Sequence, residues 1–174
     1  MRTLVARPLT AKAFAPFGDV LEARGDPDRI INDGRCGRFH DRARLDFGPE
    51  GRAGISVFRG ETVAWPVEIP LVERHPDGSQ AFVSMSGHPF LVVAAPDESG
   101  VPGTPCAFVA ASGQGVNFHR GTWHGVLAPL HAPGLFAVVD RIGDSPNLEE
   151  HWFDSPYLVE AGAELADSVS AQAS

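Results

Sequence analysis

Gly113-Gln114-Gly115-Val116-Asn117-Phe118-His119-Arg120-Gly121-Thr122-Trp123-His124 is the stretch on which the reading of this 174-residue chain turns. It holds two histidines five positions apart, one tryptophan and three glycines, and it has no acidic residue. Glycine tolerates positive φ and close backbone approach, so the stretch predicts strand, tight turn, strand. Such a hairpin sets His119 and His124 near a concave surface. Two imidazoles need partners from elsewhere, and the best source is Glu73-Arg74-His75-Pro76-Asp77-Gly78-Ser79-Gln80. Within it, Glu73 and His75 are two residues apart, which on a strand puts both side chains on one face and turns Arg74 to the other.

The rest of the chain reads as short strands and turns. Nineteen glycines and fifteen prolines interrupt a sequence that is 43% hydrophobic and 21% charged. That is the balance of a soluble globular domain, and apolar runs at helical spacing are scarce. Extended segments are expected at Thr3 to Ala6, after Gly18, from Gly54 to Phe58, at 62–65 and at 67–72. Further strands are expected at 81–85 and 90–95, paired as a hairpin through Gly87-His88-Pro89, and at 106–110 and 135–139. Thr10 is placed to cap a short helix in which Phe14 and Phe17 face inward. Turns every eight to twelve residues signal a sandwich or barrel. Residues 24–52 form a long polar loop that carries Asn32, Arg35, Arg38 and His40, all able to bind an anion. Segment 145–158 reads as one helical turn or an extended arm. Residues 1–160 are expected to be a single domain, with 161–174 a disordered tail.

A net charge of −8 argues against nucleic acid and anionic membrane as partners, since phosphate tracking needs clustered Lys and Arg. Lys12 is the only lysine, so positive charge is almost entirely Arg, which suits bidentate capture of a small carboxylate. Cys36 and Cys106 give no disulfide framework. With no signal-peptide pattern and no apolar run of spanning length, a cytoplasmic protein is expected.

Side by side, the two segments resemble the paired motifs of cupins. Glu73 stands where the first motif has its first His, His75 at the second His, Gln80 at the Glu and Gly87 at the Gly. In the second motif Gly113, Gly121 and His124 are in place, with His119 where Pro is usual and Ala128 where Asn is usual. A cupin site offers three His and one Glu to a divalent metal. Here the set would be Glu73, His75, Gln80 and His124, in which a neutral amide replaces an anionic ligand. Either metal affinity is reduced or the chemistry needs no metal; Ni or Zn is compatible with the donors that remain.

A narrower resemblance covers roughly residues 3–158. GDVLE, RFHD, ERHPDGSQAF, FLVVAAPD, GQGVNFHRGTWH, VVDR and NLEEHWF are similar to the ureidoglycolate lyase family, also labelled ureidoglycolate hydrolase. The resemblance implies a mainly β, cupin-type double-stranded β-helix (jelly-roll) barrel with a few short helices. It also implies a homodimer that acts in purine (allantoin) degradation and cleaves (S)-ureidoglycolate to glyoxylate and urea. That cleavage needs a base for the hydroxyl proton and an acid for departing urea, and no covalent intermediate. His75 or His124 is a candidate base, with Glu73 orienting an imidazole or acting as base itself. His119 or Gln80 is expected to contact the ureido group. Arg38, Arg74 or Arg141 would clamp the carboxylate, while Asn32 and Trp123 would line the pocket. Competing functions are an ammonia-releasing hydrolase, a cupin that binds a small hydroxy acid without turnover, and a metal-dependent isomerase or dioxygenase.

Overall fold

A computed structural model describes residues 2–165. The first third contains β1 (Arg2–Pro8), α1 (Ala11–Phe14), β2 (Gly18–Leu21), β3 (Arg29–Ile31), β4 (Cys36–Arg38) and β5 (Arg52–Gly60). The middle holds β6 (Val67–Arg74), β7 (Gln80–Ser84), β8 (Phe90–Ala95), β9 (Asp97–Glu98) and β10 (Val101–Pro102). Then follow β11 (Cys106–Ala110), β12 (Gly115–Phe118), β13 (Trp123–His124) and β14 (Ala128–Pro129). The described part ends with β15 (Gly134–Ile142), β16 (Glu149–Ala161) and a 3-10 turn at Ala163–Leu165.

Two sheets carry the fold. One has the order β11-β1-β16-β6-β13-β8-β14, and an extra β11–β8 pairing closes it on itself. The other is β2-β12-β7-β15-β5. Strand β1 runs parallel to β11 and β16, so the barrel is mixed, mainly β and of cupin type, as expected. Between the sheets lies a core of alternate residues: Phe90, Val92 and Ala94 of β8, Phe108 and Ala110 of β11, Val116 and Phe118 of β12, Phe82 of β7, and Phe136 and Val138 of β15. The opposite faces of β8 and β11 are buried too, where Leu91, Val93, Ala107 and Val109 meet Ala6, Val67, Ile69, Tyr157 and Val159. Strands covered on both faces have no polar alternation, which is why β8 reads as FLVVAA.

Several expectations are corrected. The 81–85 and 90–95 segments are not a hairpin: β7 pairs with β12 and β15, while β8 pairs with β11, β13 and β14 in the other sheet. The focal stretch likewise leaves β12 in one sheet and enters β13 in the other. Its turn is where expected, since Gly121 has φ +75°, a value strained for any residue with a Cβ. Residues 61–66 are irregular and are tied down by Val63 N–H donating to the Pro129 carbonyl at 2.9 Å. Segment 145–158 takes the extended of its two expected forms, being mostly strand β16, whereas the expected tail begins in structure: Ala161 ends β16 and Leu165 is buried in the second core. The remainder of that tail lies outside the described residues. Thr10 caps α1 as expected, its side chain accepting from Ala13 N–H.

One irregularity matters for the site. The β6–β16 register slips between Trp152 and Tyr157 of β16. Val67 and Ile69 of β6 pack on the side of Leu91 and Val93, but beyond the slip it is Val72 that joins Ala95 and Trp123 on that side. The alternation of β6 therefore changes phase, as a bulge makes it do, and Glu73 turns toward the core between the sheets.

Candidate active site

Glu73 near the end of β6, His75 just beyond it and His124 of β13 build the centre. Glu73 and His124 are paired directly across the strands, and His124 also faces Ala94 of β8. His75 follows β6 by one residue, and its carbonyl accepts from Gly121 N–H at 2.9 Å, which ties the two motif segments together. Ligating atoms of Glu73, His75 and His124 all lie within 4.8 Å of one another.

His124 is 1% exposed and stacks on Phe118, with ring centroids 4.3 Å apart and planes at 13°. Its Nδ1 lies 3.1 Å from the Gly125 carbonyl, an acceptor, so Nδ1 carries the proton and Nε2 the lone pair. Nε2 is buried and has no hydrogen-bond partner. Burial, followed by the positive charge of His75, pushes the His124 pKa down to about 3, with the Gly125 hydrogen bond opposing. His124 is thus a neutral imidazole with a lone pair directed into the site.

His75 differs in kind. Its Nδ1 is 2.6 Å from the Asn147 carbonyl and its Nε2 is 3.1 Å from Gln80 Oε1, so oxygens meet both ring nitrogens. Gln80 Nε2 is in turn 3.4 Å from Asp140 Oδ2. The loop carrying Asn147 is itself held, because Asn147 Oδ1 accepts from Asp77 N–H at 2.7 Å. Glu73 is half-buried, and that burial raises its pKa; His75 opposes the shift and Glu150 adds to it.

The donor set suits a divalent metal. Two imidazoles and a carboxylate within mutual reach, one imidazole nitrogen being orphaned in a buried position, match the nitrogen and oxygen ligands of Zn or Ni. Gln80, the fourth candidate ligand, instead turns its oxygen to His75.

Of the residues expected from sequence, Glu73, His75, Gln80 and His124 come together. The others do not reach them. Trp123 neighbours His124 on one strand and so faces the opposite way, donating Nε1–H to Asp97 Oδ1 at 2.9 Å beneath the Arg74 guanidinium. Arg74 itself is held by Asp97 and Glu149. Arg141 is turned from the core for the same reason, alternating with Asp140, and its Nε donates to the Phe47 carbonyl at 3.1 Å. His119 lies outside the barrel wall with Nε2 2.9 Å from Asp19 Oδ2. Although burial opposes it, hydrogen bonds from Arg44 N–H, Asn117 and His119 hold the Asp19 carboxyl below its usual range. Asn32 and Arg38 belong to the two-stranded β3–β4 hairpin, which pairs with neither main sheet. Arg38 reaches His40 Nδ1 at 2.8 Å, and the Asn32 carbonyl accepts from Arg35. Sequence reasoning missed Phe118, Asn147 and the inward turn of Asp140. The first could have been found from alternation with Val116.

A family model described as ureidoglycolate lyase matches residues 1–160. A protein named ureidoglycolate lyase from Rhodobacter capsulatus is 58% identical over 160 residues, covering 92% of this chain and 99% of its own length. Ureidoglycolate lyase 2 of Rhizobium meliloti is 51% identical over 161 residues, covering 92% of this chain and 99% of its own. The ureidoglycolate lyase of a Chelativorans species is 51% identical over 160 residues, covering 91% and 97%. With the cupin barrel and the convergence of both motif segments, these matches show that the chain belongs to the ureidoglycolate lyase family.

Proposed function

We propose that this chain is a ureidoglycolate lyase, a carbon–nitrogen lyase that cleaves (S)-ureidoglycolate to glyoxylate and urea by acid/base elimination. The observation that carries the reading is the pairing of unlike proton carriers on one small cluster. His124 is buried and neutral, His75 has oxygen acceptors at both ring nitrogens, and Glu73 is a carboxylate made more basic by burial.

In the reaction the hydroxyl proton leaves, its oxygen becomes the glyoxylate carbonyl and the carbon–nitrogen bond breaks. The bonding pair passes to the urea nitrogen, which takes a proton. Glu73 is assigned the hydroxyl proton, since its raised pKa brings it nearer the working range of a general base. His75 is assigned donation to departing urea from Nε2, the Asn147 carbonyl holding the ring by its other nitrogen. His124 accepts a hydrogen bond from substrate at its open Nε2. No arginine named from sequence lies in the cluster. With His75 deprotonated at Nε2, Glu73, His75 and His124 would hold a Zn or Ni ion, and such an ion would supply Lewis-acid polarisation of the hydroxyl oxygen in place of the His75 donor.

Homodimerisation and a cytoplasmic location belong to this proposal. Ile55, Val57, Val83 and Met85 are 39 to 76% exposed and share the outward face of the β2-β12-β7-β15-β5 sheet, an apolar area suited to a second copy. Both cysteines are free, which suits a reducing compartment, and no helix among the described residues is long and apolar enough to cross a membrane. The deciding experiment incubates purified protein with racemic ureidoglycolate, with and without chelator, and measures urea, glyoxylate and ammonia. Equimolar urea and glyoxylate, stopping when half the racemate is consumed, is expected. Ammonia in place of urea would assign a hydrolase, and no product at all a binding protein.

A further inference from the structure

We propose that the β3–β4 arm completes the active site of a second copy of this chain, its tip residue Arg35 being the guanidinium that binds the substrate carboxylate there. This rests on the lyase reading above for its kinetic consequence but not for the placing of the arm. Glu150 stands directly opposite Glu73 in the β6–β16 ladder, and opposite residues share a face, so a second carboxylate lies at the rim of the cluster. No cation pairs with Glu150 among the described residues, and Arg74 is held on the other face by Asp97 and Glu149. An anionic substrate thus meets like charge at the site, and its carboxylate calls for a guanidinium from elsewhere.

The arm carries that group. Residues 29–38 hold Arg29, Arg35 and Arg38 against the single acid Asp33, in a chain of net charge −8. Nine of these ten residues are exposed, and neither main sheet pairs with them. A two-stranded hairpin on its own is marginally stable at best in water, so the arm needs a surface to lie on. Its root is fixed, because Asp28 Oδ2 accepts from His40 N–H and from Arg42, both at 2.8 Å. At the tip Asn32, Asp33 and Gly34 turn the chain with φ of 54°, 55° and 85°. The Asn32 carbonyl then accepts from both N–H and Nε of Arg35 at 3.2 Å, which holds the guanidinium and leaves its Nη1 and Nη2 fork for a carboxylate. Beneath the root, Phe39 and Arg42 with Leu21, Val83 and Gly115 bound a groove of about 350 Å³. Val83 also belongs to the exposed apolar face of Ile55, Val57 and Met85, so a copy seated on that face lies under the arm. Twofold pairing is reciprocal: each arm crosses to the other copy, where its basic tip meets the acidic rim at Glu73 and Glu150.

The test uses Arg35→Ala, Arg35→Lys and His75→Ala in the full chain. Arg35→Ala is expected to raise KM for ureidoglycolate about 10- to 100-fold with kcat within several-fold of wild type, and Arg35→Lys to regain part of that loss. Far below the raised KM, Arg35→Ala and His75→Ala are each nearly silent. After subunit exchange, equal amounts of the two should recover about a quarter of the wild-type rate, since half the dimers are mixed and each mixed dimer has one intact site. Independently of turnover, a carbodiimide should couple Arg35→Lys to Glu150 of another copy, giving a covalent dimer that is lost when Glu150→Gln is added. An unchanged KM in Arg35→Ala would overturn the proposal. So would a raised KM without recovery in mixtures whose exchange is verified by two affinity tags, a monomeric active enzyme, or the absence of coupling through Glu150. A wild-type protein that releases no urea would overturn the lyase reading, and the coupling would still decide where the arm lies.

Discussion

Burying a neutral histidine has a consequence for stability that can be worked from the structure. In the unfolded chain the imidazole of His124 titrates near its ordinary value of 6.5, whereas in the fold it titrates at about 3. Between those values the unfolded state binds a proton that the native state refuses, so stability is full above the unfolded value and falls as pH drops toward the folded one. Linkage for this single residue gives a loss of ~2 kcal/mol between about pH 7 and about pH 5, and ~3 kcal/mol by about pH 4. A change of ~2 kcal/mol moves a urea midpoint by on the order of 1 M in a chain of this size. The assay is urea unfolding at both pH values, in chelator, for wild type and His124→Gln. The variant starts from a lower stability, but its change between the two pH values should be smaller than that of wild type by ~2 kcal/mol. Carboxylates and other histidines titrate alike in both proteins and cancel. Equal losses in the two proteins would mean that position 124 is hydrated or charged in the fold, and the argument for its open lone pair would fail with it.

Other outcomes follow from the same geometry. Glu73→Gln and His75→Ala should cut kcat by about 10²- to 10⁴-fold, the usual worth of a general base or acid, while Trp123→Phe and Arg141→Gln stay within several-fold of wild type in the same coupled glyoxylate assay. If Trp123→Phe proved as damaging as Glu73→Gln, the division of the two strand faces would be wrong. Calorimetry with Ni or Zn should register one site in wild type and none in His124→Gln, since that change removes the open buried nitrogen of the Glu73, His75 and His124 cluster. Gly18→Ala should destabilise by about 1–3 kcal/mol, because a Cβ there overlaps the Asn117 carbonyl of the neighbouring strand; a melting temperature equal to wild type would contradict the close approach of β2 and β12.

The local parts of this molecule were legible in the sequence, and the long-range pairings were not. Alternation alone set Glu73 with His75 and turned Arg74 away. Applied to the next pairs, it also separates Trp123 from His124 and Arg141 from Asp140, which places the first of each pair outside the site. The cap at Thr10 and the turn at Gly121 follow from side-chain chemistry and backbone freedom that need no distant partner. Pairing is another matter. A turn between strands reads the same whether the chain doubles back on its neighbour or crosses to the facing sheet. So 81–95 and 113–124 both read as hairpins, although each is a crossing. His119 illustrates the cost: spacing put it beside His124, but its partner Asp19 comes from β2, and nothing near either residue announces that contact. Asn147 was hidden for a different reason, since it serves through its backbone carbonyl, a group every residue has.

The slip in register between Trp152 and Tyr157 leaves its surplus at the barrel wall. Residues 153–156 stand opposite Pro70 alone, so the surplus lies in β16, while Glu73 keeps its inward turn through its pairing with His124 of β13. The outer wall of the barrel thus carries spare backbone without costing the reacting carboxylate its station.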